Sequence, residues 1–287
     1  MESYEPVDES GYGPAPESHQ FTQVVLLVVE GLGVGALPDA EDYRDRGAAT
    51  LQNVSKYVGG LGELAQLQWL GLGNTGASVR GVEATELPGA CTARLARASG
   101  GSDVQGAIDE MLGSVLSGLR SEEVDLDLVV LGKAGEYIGE GLATAAPEGA
   151  SLTRVMNNVA SAMNTPIRGL AVAVIGTGEE ESNAQHSPFR LARLLSNLDK
   201  ELGTLLGMIP EKALLMVVGA NGRDTTLGAA RGTTREYVPL LAYSPSDTAG
   251  LDLGTRASLG DIGATIANNF GLPEPEGTES FYAPLLS

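Results

Sequence analysis

Val24-Val25-Leu26-Leu27-Val28-Val29-Glu30-Gly31-Leu32-Gly33-Val34-Gly35-Ala36 is the stretch that decides the fold, and it opens the segment Phe21 to Asn53. Six apolar residues in a row, four of them β-branched, predict a strand covered on both faces. The run breaks at an acidic residue followed by glycines, and open α/β sheets place their ligand sites at the carboxyl ends of such strands. Glu30 is therefore the first candidate site residue. Its charge is either held by backbone N–H groups or by Arg235, or it faces a cation together with the acidic run Glu179-Glu180-Glu181.

Outward from that strand, helices and strands alternate. Helical spacing predicts helices over Thr50–Val58, Leu61–Leu70, Thr85–Ala98, Asp109–Leu119, Ser151–Met163, Pro188–Leu206 and Ser258–Phe270. Short apolar runs predict strands over Leu126–Leu131, Leu170–Ile175, Ala213–Val218 and Tyr237–Tyr243. The alternation implies an α/β fold, a mostly parallel sheet with helices on both faces. Residues 1–20 carry Glu2, Glu5, Asp8, Glu9 and Glu17 around Pro6, Pro14 and Pro16, and read as a disordered acidic tail. Residues 21–287 contain neither internal repeat nor linker and read as a single domain.

Composition narrows the partners. Thirty-seven acidic residues against 18 basic ones give a net charge of -19, which excludes nucleic acid and anionic membrane as natural partners. No stretch reaches the roughly 18 apolar residues that a membrane span needs. One cysteine, Cys91, rules out an intrachain disulfide and a cysteine metal cluster, and suits a reducing, cytoplasmic setting. On a helix of apolar and small residues, Cys91 reads as a core thiol. The two histidines, His19 and His186, lie too far apart in sequence for a metal motif. Gly31-Leu32-Gly33-Val34-Gly35-Ala36 formally fits a dinucleotide fingerprint, but that pattern must open a helix, and Pro38-Asp39-Ala40-Glu41-Asp42 reads as a loop.

Several stretches together resemble the phosphopentomutases, a branch of the alkaline phosphatase superfamily. They are Gly33-Val34-Gly35-Ala36 with Pro38-Asp39-Ala40-Glu41-Asp42-Tyr43, Gly47-Ala48-Ala49-Thr50-Leu51, Leu70-Gly71-Leu72-Gly73-Asn74 and Leu131-Gly132-Lys133-Ala134-Gly135-Glu136-Tyr137-Ile138-Gly139. The most specific is Thr234-Arg235-Glu236-Tyr237-Val238-Pro239-Leu240, followed by Leu253-Gly254-Thr255-Arg256-Ala257-Ser258 and Asp261-Ile262-Gly263-Ala264-Thr265-Ile266-Ala267. They run in family order over most of residues 21–270. The resemblance implies an alkaline-phosphatase-like core, a pair of divalent ions (usually manganese) held by Asp and His, and a threonine that carries the phosphoryl group.

Carried over position by position, the chain departs from that chemistry. The family's metal-binding Asp at the end of the first strand is Glu30, and its Asp-His-Gly is Ala220-Asn221-Gly222. The His before Thr-Arg-Glu-Tyr is Thr233, next to Arg235 in the same motif. The Gly-Lys-Asp-Thr segment is Gly101-Ser102-Asp103-Val104, and Val104 cannot carry a phosphoryl group. The family's Asp and His before the long helix fall within Gly176–Gln185, close to His186 but without the motif's spacing. Only about a dozen residues, roughly Ser114–Asp125, stand where the family inserts its cap domain.

The expectation is therefore a degenerate, capless, metal-free protein without manganese or another cofactor. It would act as a structural, regulatory or interaction module through a protein partner or as a homo-oligomer. Arg223 and Arg231 are the cations on the rim of its cleft. Two alternatives remain. One is a metal-dependent phosphotransferase with a rebuilt site; the other is a sensor for a small phosphorylated ligand, a sugar phosphate or nucleotide.

Overall fold

Strand β1 (Gln23–Val29) is buried along its whole length and lies between two parallel neighbours, β5 (Gly169–Ile175) and β6 (Ala213–Gly219). The register pairs Val29 with both Ile175 and Gly219, so the three central strands end level. In this computed structural model the described residues are 21–76, 78–121, 125–139, 143–145 (backbone), 151–165, 168–176, 187–228, 232–246 and 250–286. The expected acidic tail, Glu179–Glu181, His186 and Arg231 lie outside them.

Among the described residues the sheet has eight strands. Beyond β5 come β3 (Asp127–Gly132) and the short edge strand β4 (Ala143–Ala145), both parallel. Beyond β6, β7 (Val238–Tyr243) runs antiparallel, then β2 (Cys91–Leu95) antiparallel to β7, and β8 (Asp252–Arg256) parallel to β2. The reversal at β7 brings the loop before that strand to the same sheet edge as the ends of β1, β2, β5 and β6. The described family positions Glu30, Ser102, Asp103, Val104, Asn221, Gly222, Thr233 and Arg235 belong to this edge.

Period-two alternation divides β1 between two cores. Val24, Leu26 and Val28 face α3 (Val104–Leu119) and α7 (Gly260–Phe270). Val25, Leu27 and Val29 face α1 (Thr50–Val58), α2 (Ala65–Leu70), α5 (Leu152–Met163) and α6 (Pro188–Leu206). A strand with both faces dry needs an unbroken apolar run, which is why the opening stretch was readable. Two short helices, α4 (Ala134–Ile138) and α8 (Tyr282–Leu285), are also described.

Two sequence expectations are corrected. Thr85–Ala98 is not a helix: Cys91–Leu95 is β2, between β7 and β8, with Cys91, Ala93 and Leu95 alternating into one core. The Ala and Arg content suggests helix, but propensity yields to pairing on both sides. Cys91 is a fully buried thiol, as expected, though on a strand. The helix expected from Leu61 starts only at Ala65: Gly62 takes a positive φ of 81°, and Asp199 accepts bonds from the Gln66 and Leu67 N–H groups at the start of α2. The chain passes from α3, ending at Leu119, to β3, beginning at Asp127.

Candidate functional site

The loop after β1 does not open a helix: turns fill residues 31–49 until α1 begins at Thr50. The Val34 and Tyr237 N–H groups donate to the Tyr237 and Gly35 carbonyls, and Ala36 bridges Glu236. The glycine-rich loop is thus laid against the Thr234–Tyr237 segment, with no phosphate cradle. Gly33 permits the approach, since a Cβ there would come 2.6 Å from Glu236 Cδ and 2.7 Å from the Gly222 backbone. We expect Gly33→Ala to lower the melting temperature by roughly 5 °C or more, because backbone must move to admit a methyl group. A thermal scan matching wild type would refute this close packing.

Glu236 is buried, and its carboxylate gathers four donors: the Thr50 and Gly35 N–H groups at 2.8 and 3.2 Å, and the Thr50 and Thr234 hydroxyls, each at 2.6 Å. The α1 cap residue Ala49 has no side-chain oxygen to offer. Glu236 and Asp224 act in its place, Asp224 Oδ2 accepting from the Ala49 N–H at 3.0 Å and from the Asn53 amide. Burial pushes the Glu236 carboxyl up, outweighing the bonds from Thr234, Thr50 and Gly35.

Arg235 is equally committed. Its Nε and Nη2 donate to Asp39, Nη1 to the Ser99 and Gly101 carbonyls at 2.6 and 2.8 Å, and Nη2 also to the Arg97 carbonyl at 3.1 Å. That uses all five guanidinium N–H groups. It leaves no donor for a phosphoryl oxygen. The Arg235 bond holds the Asp39 carboxyl below the usual carboxylate range.

Ser102 and Thr233 are brought together, their hydroxyls 2.9 Å apart. Asp103 caps α3, accepting from the Gly106 N–H, while Arg97 binds its carbonyl at 2.6 Å. Val104 is the first residue of α3, buried and without a nucleophilic atom. Asn221 is turned inward: its Oδ1 accepts from the Gly31 N–H at 3.1 Å and its Nδ2 donates to the Gly222 carbonyl. Gly222 pairs with Thr234, and a Cβ there would overlap the Glu236 carboxylate.

Glu30, 4% exposed, is not held by Arg235. Its partners are the Tyr137 hydroxyl, donating at 2.9 Å, and the Lys133 ammonium, 3.8 Å from the same oxygen. In the sequence Lys133, Tyr137 and Glu236 are members of motifs, and nothing there places them at the site. Lys133 and Tyr137 stand four residues apart around α4, the spacing that stacks side chains on one helical face.

A divalent pair does not fit the described side chains. Glu30 already faces an ammonium, the Asn221 oxygen is taken by backbone, and Thr233 contributes one hydroxyl, where close cations need several anionic ligands. Among the described residues no cluster of three or more His, Cys, Asp or Glu is arranged to hold a metal, and no helix is long and apolar enough to cross a membrane.

The sequence pattern of the metalloenzyme superfamily matches residues 141–274. A phosphopentomutase from Clostridium perfringens is 33% identical over 166 residues, covering 58% of this chain and 41% of that protein, so the match spans about two fifths of the relative's length. One from Symbiobacterium thermophilum is 24% identical over 388 aligned positions, covering 90% of this chain and 97% of that protein. Among solved structures, an alkaline phosphatase superfamily protein from Vibrio parahaemolyticus superposes with a TM-score of 0.53 at 11% identity, covering 88% of this chain and 67% of that one. The lipoteichoic acid synthase LtaP from Listeria monocytogenes gives 0.51 at 10% identity, covering 94% and 76%. The chain has an alkaline-phosphatase-like fold, and its residues 141–274 are similar to the metalloenzyme superfamily. Along most of its length the chain is distantly homologous to the phosphopentomutases.

Proposed function

We propose that this chain is a non-catalytic phosphopentomutase-like protein that works through contacts made at the carboxyl edge of its sheet, with a protein partner or a second copy of itself. The supporting observation is that the polar side chains at the family's site positions are spent on the chain's own structure. Arg235 closes on Asp39 and three carbonyls, Asn221 on the Gly31 and Gly222 backbone, and Ser102 on Thr233. Val104 has no nucleophile to offer. A capless form of the domain accords with the short passage from Leu119 to Asp127, and with an alignment of 388 positions to a chain of 287 residues, which must open gaps in this chain.

Fold by itself does not assign activity, so the test addresses the site. Protein dialysed against buffer without chelator is expected to retain only substoichiometric Mn, Zn or Mg by elemental analysis. Its mass by light scattering should show self-association, the commonest soluble symmetric form being a dimer; alternatively, a monomer should capture a defined partner through this edge. About one equivalent or more of a divalent metal would favour a phosphotransferase rebuilt around Glu30.

A further inference from the structure

We propose that Lys133 is the built-in counter-ion of Glu30, so that this buried carboxylate is neutralised by the chain's own ammonium and not by a divalent metal. The inference deepens the non-catalytic reading and rests on it. Glu30 ends the central strand with its side chain 5% exposed, and a carboxylate there must be paired or pay the full cost of desolvation. The chain provides the pair from one short element. Lys133 immediately precedes α4 and Tyr137 lies within it, and both reach Oε1 of Glu30, the ammonium at 3.8 Å and the hydroxyl at 2.9 Å.

The other oxygen is enclosed as well. A Cβ built on Gly176 would lie 2.9 Å from Glu30 Oε2 and 3.2 Å from Lys133 Cδ, so backbone and the lysine stem crowd that side. Magnesium and manganese sites want about six oxygen or nitrogen ligands around the ion. The Asn221 oxygen, a family ligand position, already accepts the Gly31 N–H. One ammonium offsets the charge of one carboxylate, whereas a retained divalent pair would need several more anions.

A double-mutant cycle over Glu30→Gln, Lys133→Met and the double variant tests this, with melting temperatures read in EDTA and in manganese chloride. Lys133→Met alone should melt roughly 5–10 °C below wild type, because it strands a buried carboxylate. The double variant should lose clearly less than the sum of the single losses. The wild-type melting temperature should be the same in both buffers. If Lys133→Met does not fold, the double variant decides: a folded double variant supports the pairing, and an unfolded one overturns it. Additive losses in a metal-free wild type defeat the counter-ion assignment alone. Stoichiometric metal in dialysed wild type instead defeats the non-catalytic reading.

Discussion

Arg235→Met is expected to lower the melting temperature by roughly 10 °C or more, and Arg235→Lys by about half as much. The guanidinium joins three segments that are distant in sequence: Asp39 after β1, the carbonyls of Arg97, Ser99 and Gly101 before α3, and its own strand entry, whose N–H donates to Asp45 at 2.8 Å. Methionine can fill part of the volume but leaves those buried carbonyls without donors, at about 1–3 kcal/mol for each acceptor that water cannot reach. Lysine keeps the charge but has three donors on one nitrogen and cannot span the Asp39 carboxylate and the carbonyls together. Asp39 is partly exposed, so the ion pair itself contributes less than the carbonyl bonds. Calorimetry of the three proteins at neutral pH checks this. A methionine variant that melts with wild type would mean that the arginine is free to serve a ligand.

Asp39 adds a pH signature. Arg235 depresses its carboxyl, so the stability it contributes is present above its ordinary value of 3.8 and is lost as pH falls through the folded one. That acid-side loss should vanish in Arg235→Met.

What could be read from sequence follows from which residues act alone. A strand dry on both faces has to announce itself, and Val24–Val29 does. Helix α6 is bounded by Pro188 at its first position and was placed at its observed limits. β2 is not legible in the sequence because its stability comes from β7 and β8, neither of which is local to it. β8, largely exposed at the sheet edge with Leu253 packed against the core, has no apolar run to betray it. At the site, residue types showed which ligands had changed, but not where the remaining polar groups pointed. Nothing in Thr234-Arg235-Glu236-Tyr237 says that the arginine turns away from the cleft to clamp a loop. The pairing of Gly33 with Gly222 was the available hint. Two glycines in separate loops at one sheet edge mark a close approach, and Glu236 is what they approach.

The second large effect is expected at Glu236. Glu236→Ala should lower the melting temperature by roughly 10 °C, and Glu236→Gln by much less. Alanine strands the Thr50 N–H at the start of α1, where Ala49 cannot cap, and frees the Thr50 and Thr234 hydroxyls from the group that orients them. Those hydroxyls also accept the Arg223 and Asp224 N–H groups, so the damage extends into the loop after β6. Glutamine can turn its oxygen to the Thr50 and Gly35 N–H groups and its amide to the two hydroxyls, which rotate to accept. The pH dependence separates a charge effect from a packing effect. Burial raises the Glu236 carboxyl above its ordinary 4.5, so the folded protein holds that proton more tightly than the unfolded chain. Its contribution is then complete below 4.5 and declines as pH rises through the folded value. Wild type should lose stability relative to Glu236→Gln across that window, and the difference should level off above it. Chemical denaturation of both proteins from about pH 4 to pH 8 reads the difference directly. A flat difference would show that the four donors cancel the burial, and a difference of opposite slope that they exceed it. In either case the cost of ionising the carboxylate at this sheet edge would be absent, and the opposite slope would make it a stabilising anion at the head of α1.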